Sequence, residues 1–150
     1  MSSQPLPEFI YLDYAATTPV SKFVRETMVY AMEKVWGNYT SPHQKGNQAK
    51  KLIDEAIEDI AHFLKINKNE LIFTSGATES INQAIKGVCY GQKKKHIITS
   101  TVEHKAVLQT VQALLKEGYK ATFLTPNKNG IVTSQMIAEA ITDETALISL

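Results

Sequence analysis

The stretch from Leu71 to Asn82, LIFTSGATESIN, constrains the fold of this chain more than any other. Four residues of strand character, Leu71 to Thr74, run into Ser75 and Gly76, and apolar residues then recur at helical spacing from Thr78 onward. This pattern predicts a strand, a tight turn and the N-terminus of a helix.

The predicted turn is a candidate anion site. The first N–H groups of a helix have no partner within it, and the peptide dipoles place partial positive charge there. Gly76 would let the backbone approach a ligand closely, and the hydroxyls of Ser75 and Thr78 add side-chain donors. The turn therefore favours phosphate binding, although many parallel-sheet proteins carry small residues at this position simply to pack a helix on a strand.

Strand and helix patterns alternate from this stretch to the end of the chain. Predicted helices follow each of the first three strands, with Thr133 as the cap of the last helix. Such an alternation implies a parallel sheet with right-handed crossovers and helices on both faces. The turns at 75–78 and 100–104 should then lie at the carboxyl edge of that sheet, where ligands collect. The four predicted strands are Leu71–Thr74, His96–Thr99, Ala121–Leu124 and Ala146–Leu150.

The N-terminal half reads as an arm, two helices and a loop. Residues 1–8 contain two prolines and predict an extended arm, and Ser21 can cap a first helix that stops after Trp36. The residues from Asn38 to Gly46 predict an irregular loop, because a proline and a glycine interrupt any period. A long amphipathic helix follows and should close at the asparagines Asn67 and Asn69.

Length and composition indicate one soluble intracellular domain. The chain has 150 residues, a formal charge of +1 and a single cysteine, and its N-terminus lacks the features of a secretory signal. The interspersed charges argue against nucleic acid or a membrane as the main partner. The sequence ends within an apolar strand at Leu150, which predicts a truncated domain.

His104 is the main candidate for chemistry beyond the first turn. It lies where the helix after the second turn should begin, and the neighbouring Glu103 could set its protonation, although a histidine at a helix start is most often a surface group. Cys89 falls on an inward helical stripe and reads as a core thiol, and Lys105 as a solvated side chain. The other histidines show no zinc-site spacing, so no metal is expected.

Five motifs, in order and at consistent spacing, resemble the N-terminal part of cysteine desulfurases. These are pyridoxal-phosphate enzymes of the class V aminotransferase type, and the form of the last motif is more similar to their housekeeping iron–sulfur-assembly branch. The motifs are YLDYAATTP (Tyr11–Pro19), the pattern GN..S.H..G (Gly37–Gly46), FTSGATESIN (Phe73–Asn82), HIITS (His96–Ser100) and EHKAVL (Glu103–Leu108).

The resemblance implies an α/β fold, a parallel-sheet, three-layer fragment of the large domain of a pyridoxal-phosphate transferase. Residues 1–18 would be an N-terminal arm and residues 19–150 the N-terminal part of that domain. The cofactor would be pyridoxal 5'-phosphate, with Gly76, Ala77 and Thr78 at its phosphate. His104 would stack on the pyridine ring and assist proton transfers.

By the same resemblance, the whole enzyme would be a cytoplasmic homodimer that releases sulfur from L-cysteine as an enzyme persulfide and leaves L-alanine. The sulfur would pass to an iron–sulfur scaffold or another acceptor protein, for cluster and thio-cofactor assembly. The loop Asn38–Gly46 would lie near the active site and the subunit interface. Asn47 departs from the family pattern, since many members carry arginine there.

The larger departure is that the 150 residues contain neither the family's Schiff-base lysine motif nor its nucleophilic cysteine. Whether this chain alone is an enzyme therefore stays open. One alternative is a non-catalytic truncated product that keeps a dimerisation or partner-binding surface, and another is a stand-alone phosphate-binding module.

Overall fold

The computed structural model describes residues 10–150. The chain divides between Leu71 and Ile72 into two compact units. Residues 1–8, the predicted extended arm, and Phe9 lie outside the described residues.

The first unit contains two helices and a short 3-10 turn. They are α1 (Lys22–Lys34), α2 (Gln44–Leu64) and the turn Lys68–Glu70. The predicted cap of α1 is confirmed, because the Ser21 hydroxyl accepts from the N–H of Val24 at 3.3 Å. A capping side chain of this kind satisfies one of the amides that a helix start leaves unpaired.

The start of α2 corrects the sequence prediction. The irregular segment is shorter than expected, because α2 begins at Gln44 and includes Gly46. His43 is the N-cap, and its Nδ1 accepts from the N–H of Gly46 at 3.2 Å. Gly46 is buried, and a Cβ at this position would overlap the carbonyl oxygen of Ser41. Close backbone packing therefore explains this glycine.

The predicted end of α2 is also wrong by a few residues. The helix stops at Leu64, and Lys65 follows in the left-handed conformation with φ 56°. Its N–H returns to the carbonyls of Ala61 and His62, as in a common helix C-terminal motif. Asn67 caps the next 3-10 turn instead of closing α2.

α2 is the longest helix, and it carries the acidic face that its sequence predicts. Lys50 and Asp54 form an exposed ion pair at 2.9 Å on that face.

Among residues 10–150, none of the helices is both long and apolar enough to cross a lipid bilayer.

The second unit is built on a parallel sheet of three strands. The strands are β1 (His96–Ser100), β2 (Lys120–Leu124) and β3 (Thr145–Ser149), in the spatial order β2-β1-β3. β1 pairs in parallel with both neighbours, and all five of its residues are buried. These strands lie within one residue of three of the four predicted ones.

The remaining predicted strand, Leu71–Thr74, is the first in chain order. This prediction is wrong for the described residues, since the segment has no strand structure. Ile72 is 66% exposed and Phe73 is 63% exposed, so the apolar pattern finds no sheet partner within residues 10–150. A strand requires a neighbour for its backbone hydrogen bonds, and pattern alone does not supply one.

Two helices, α3 (Ala77–Tyr90) and α4 (Lys105–Lys116), pack on one face of the sheet. The core between them and the sheet comes from all three elements and from one residue after α4. Its buried members are Ile85, Cys89, Ile97, Val107, Val111, Leu114 and Tyr119.

The fifth helix, α5 (Ser134–Ala140), connects β2 to β3. Thr133 caps it as predicted, accepting from the N–H of Met136 at 3.3 Å. The connection from β1 to β2 and the return from β2 past β1 to β3 run in opposite directions across the sheet. Right-handed crossovers therefore assign α5 to the face opposite α4, which gives the three layers that the sequence predicts.

His96 ties the three strands together at the amino edge of the sheet. Its ring nitrogens lie 2.9 Å from the hydroxyl of Thr145 on β3 and 2.9 Å from the hydroxyl of Thr122 on β2. The side chain is buried, and both of its ring nitrogens are satisfied, so it reads as a structural histidine.

Candidate functional site

The N-termini of α3 and α4 lie at the same edge of the sheet. At the other end, Tyr90 donates to the Glu117 carboxylate at 2.9 Å and Tyr119 donates to the Cys89 carbonyl at 2.8 Å, so the two C-termini are adjacent. Gln92, just after α3, donates to the Ala146 carbonyl at the start of β3, which marks the amino edge. Two helices packed side by side with adjacent C-termini run in parallel, so both N-termini point to the carboxyl edge.

The first turn presents open backbone donors. Gly76 is the N-cap of α3, and it has no side chain that could accept a hydrogen bond from the helix. It therefore caps none of the first N–H groups of α3, among them those of Ala77 and Thr78. Thr78 is exposed, and its carbonyl accepts from the Asn82 side chain at 3.0 Å. This end of α3 has the geometry that binds anions in other helices.

The turn is held in shape by its own side chains. The hydroxyls of Thr74 and Ser80 lie 2.7 Å apart, and each lies 3.3 Å from the carbonyl oxygen of Gly76. The Glu79 carboxylate accepts from the N–H of Ser75 at 2.8 Å and from the Ser75 hydroxyl at 2.6 Å. The Ser75 hydroxyl therefore already donates its proton to Glu79, which corrects the expectation that this hydroxyl is a donor for a ligand.

Sequence reasoning missed Glu79. An acidic residue in the first turn of a helix is a recognised stabilising signal, and the sequence shows it. The signal does not say that the carboxylate reaches back to Ser75, because that contact depends on how the chain enters the helix.

The same contacts make the stability of the turn depend on pH. The Ser75 hydroxyl, and then the Ser75 N–H, hold the pKa of Glu79 below its ordinary value of 4.5. A folded-state pKa below the unfolded one stabilises the turn at higher pH, and this contribution disappears as the pH falls through the folded pKa. We expect Ser75→Ala to raise the pKa of Glu79, read from its carboxyl carbon shift in an NMR titration. An unchanged pKa would show that the hydroxyl does not act on the carboxylate.

Nothing in the described part of the chain requires a glycine at position 76. Its φ of 161° is extended backbone, and a Cβ built there meets nothing within 4 Å. The space beside the turn is therefore open. An open cradle next to uncapped amides fits a phosphate group.

The second turn holds His104 in a defined orientation. His104 is the N-cap of α4, and its Nδ1 accepts from the N–H of Ala106 at 3.1 Å. The neutral ring therefore carries its proton on Nε2. The side chain is exposed, so Nε2 remains accessible at the carboxyl edge.

Glu103 contacts Ser100 instead of His104, whose protonation it was predicted to set. Its carboxylate accepts from the hydroxyl of Ser100 at 2.9 Å, and that hydroxyl also accepts from the N–H of Val102 at 3.3 Å. Glu103 thus holds the second turn, and the backbone of α4 rather than this carboxylate orients the imidazole.

Two further predictions are confirmed. Cys89 is fully buried, and burial raises the pKa of its thiol, so it is a core residue rather than a nucleophile. Lys105 is exposed at the start of α4.

A parallel sheet with two helix N-termini at its carboxyl edge is typical of ligand-binding α/β folds. Comparison with known proteins identifies the family. The chain belongs to the family described as aminotransferase class-V, whose sequence pattern matches residues 10–150. Members of this family are pyridoxal-phosphate-dependent.

Among curated proteins, the chain is homologous to the N-terminal part of cysteine desulfurases. It is 49% identical over 146 residues to cysteine desulfurase IscS of Shewanella denitrificans, an alignment that covers 94% of this chain. The chain spans 36% of the length of that relative.

Solved structures agree with this relationship. A structure described as SspA in complex with cysteine shares 41% identity and a TM-score of 0.84, and covers 92% of this chain and 40% of its own. A NifS-like protein shares 35% identity and a TM-score of 0.87, and covers 93% of this chain and 39% of its own. The α/β fold class predicted from the sequence is therefore confirmed.

Proposed function

We propose that this chain forms the phosphate-binding part of a cysteine desulfurase and that Gly76, Ala77 and Thr78 hold the phosphate of pyridoxal 5'-phosphate. The observation that supports this is the open first turn of α3, where uncapped amides and an exposed threonine hydroxyl face free space at the carboxyl edge. Backbone N–H groups and a hydroxyl are the donors that phosphate oxygens prefer at helix N-termini.

The proposed cofactor supplies an electron sink that permits cleavage of the carbon–sulfur bond of L-cysteine. In this proposal the chain is the N-terminal part of an enzyme that passes the sulfur to an iron–sulfur scaffold or another acceptor protein and leaves L-alanine. The persulfide would form on a nucleophilic cysteine that these 150 residues do not contain. The enzyme works as a cytoplasmic homodimer, with residues 1–18 as an arm and residues 19–150 as part of the cofactor-binding domain.

His104 is the proposed catalytic residue of this chain. Its Nδ1 accepts from the amide of Ala106, so the ring orientation is fixed by the start of α4. The Nε2 atom holds the proton in the neutral ring and is the atom available to donate or return it. The ring face is the proposed stacking surface for the pyridine ring.

The phosphate assignment is tested by replacing Thr78 with valine. Valine keeps the shape but removes a hydroxyl donor to a charged acceptor, a bond worth about 1.5 to 3 kcal/mol. We expect the affinity for pyridoxal 5'-phosphate, measured by equilibrium dialysis, to fall by about ten-fold or more.

Pyridoxal without the phosphate is the matched control ligand, because any reaction of the aldehyde with exposed lysines is common to both compounds. Its affinity should be lower than that of the phosphorylated form and unchanged by Thr78→Val. Equal affinities of the unmodified chain for the two compounds would show that the phosphate is bound elsewhere.

A second candidate function is a partner-binding or dimerisation fragment without catalysis. It is favoured by α1, in which no residue is buried within the described part of the chain and Phe23 is 77% exposed. Self-association of the chain without phosphate-dependent binding would support this function over the first.

A further inference from the structure

The first turn of α3 contains a carboxylate close to the place where the proposed function puts a phosphate group. Glu79 is the third residue of α3 and lies in the same helical turn as the amides of Ala77 and Thr78. A negative charge so close to a bound phosphate is unfavourable on electrostatic grounds alone. A carboxylate in the first turn stabilises a helix by itself, so a further role for Glu79 must be argued from its contacts.

The contacts of Glu79 indicate that role. Its carboxylate oxygen Oε2 accepts from both the N–H and the hydroxyl of Ser75, at 2.8 Å and 2.6 Å. Ser75 lies just before the N-cap Gly76, so these bonds fix the path by which the backbone enters α3. The carboxylate uses donors outside the helix and leaves the first helical amides free.

The opposite side of the turn is fixed independently. The hydroxyls of Thr74 and Ser80 both lie 3.3 Å from the Gly76 carbonyl oxygen. Side chains therefore hold the two peptide groups on either side of the Ser75–Gly76 bond. One of them carries the Ser75 N–H, and the other carries the Gly76 carbonyl together with the Ala77 N–H. This arrangement sets the direction of the amides that follow.

We propose that Glu79 is a positioning residue, which orients the amides of Ala77 and Thr78 toward a phosphate group by holding Ser75. This inference rests on the proposed function, because it names the residue that prepares the same phosphate site. Glu79 acts through Ser75 and is not a phosphate ligand.

The test compares three replacements of Glu79, with inorganic phosphate and pyridoxal 5'-phosphate as the probes. Glu79→Ala removes the charge and the contact, Glu79→Asp keeps the charge but shortens the reach, and Glu79→Gln keeps the reach without the charge. We expect the alanine and aspartate variants to bind both probes about five-fold more weakly, and the glutamine variant to be closer to the unmodified chain.

A role for charge alone predicts the opposite order. Removing a negative charge near an anion would then strengthen binding in the alanine and glutamine variants, and aspartate would match glutamate. Either result would overturn the proposal. Asp59→Asn, at an exposed position of α2, controls for loss of one negative charge elsewhere.

Amide NMR gives a second readout that a general loss of stability would not move. On adding inorganic phosphate, the N–H signals of Ala77 and Thr78 should shift in the unmodified chain and shift less in Glu79→Ala. Core amides on β1 should be alike in the two proteins. Equal phosphate-induced shifts in both proteins would also overturn the proposal.

Failure of this inference is distinguishable from failure of the proposed function. If the unmodified chain binds neither probe and its Ala77 amide does not respond, the phosphate site itself is wrong. If the unmodified chain binds both probes and the alanine variant binds them equally well, only the role of Glu79 is wrong.

Discussion

Replacing Leu114 with alanine should lower the free energy of unfolding of the second unit by about 2 to 5 kcal/mol. Leu114 on α4 is completely buried in the cluster that joins α3, α4 and the sheet. Truncation removes apolar contacts and leaves a cavity that a tightly packed core closes only in part. Urea unfolding followed by far-UV circular dichroism measures the change.

The neighbouring Leu115 provides the matched control. It has the same side chain on the same helix but is 38% exposed and does not belong to the buried cluster. Leu115→Ala should therefore cost about 1 kcal/mol or less, since little apolar surface returns to water. Similar losses for both variants would mean that α4 does not pack on the sheet as described.

The elements that the sequence predicts well are those specified by neighbouring residues. The caps Ser21 and Thr133 and the apolar stripes of the helices depend on contacts within about one helical turn, which the sequence displays directly. The three observed strands are five-residue runs that each contain two or three apolar residues, so their positions are also a local property.

The errors arise where a distant partner or an uncommon residue decides the structure. Leu71–Thr74 has strand character, but pairing depends on a neighbour that residues 10–150 do not provide. The start of α2 is hidden because histidine is not among the preferred N-cap residues and because Gly46 reads as a helix breaker.

The candidate site divides in the same way. The candidate anion-binding turn is visible in the sequence because a strand pattern, small residues and a helix start follow one another. The tautomer of His104 is not visible, since it depends on the contact of Nδ1 with the Ala106 amide. The contact of Glu79 with Ser75 depends likewise on the entry of the chain into α3, which residue types alone do not specify.

Replacing Gly46 with alanine should destabilise the first unit by roughly 3 kcal/mol, at the upper end of overpacking costs. A Cβ at Gly46 would overlap the carbonyl oxygen of Ser41 and lie 2.7 Å from that of Asn38. Both obstacles are backbone atoms, so relief requires the 38–46 segment to move and not merely a side chain to rotate. Hydrogen exchange of the α2 amides, together with urea unfolding, measures the loss.

Gly87 in α3 is the matched control, because it is also a helical glycine but has no atom within 4 Å of a built Cβ. Gly87→Ala should stabilise the protein by roughly 0.5 to 1 kcal/mol, since alanine loses less backbone entropy in a helix. The two substitutions are chemically identical and should act in opposite directions. If Gly46→Ala were also stabilising, the close approach of α2 to the preceding loop would be wrong, and with it the packing reason for the glycine that ends the GN..S.H..G pattern.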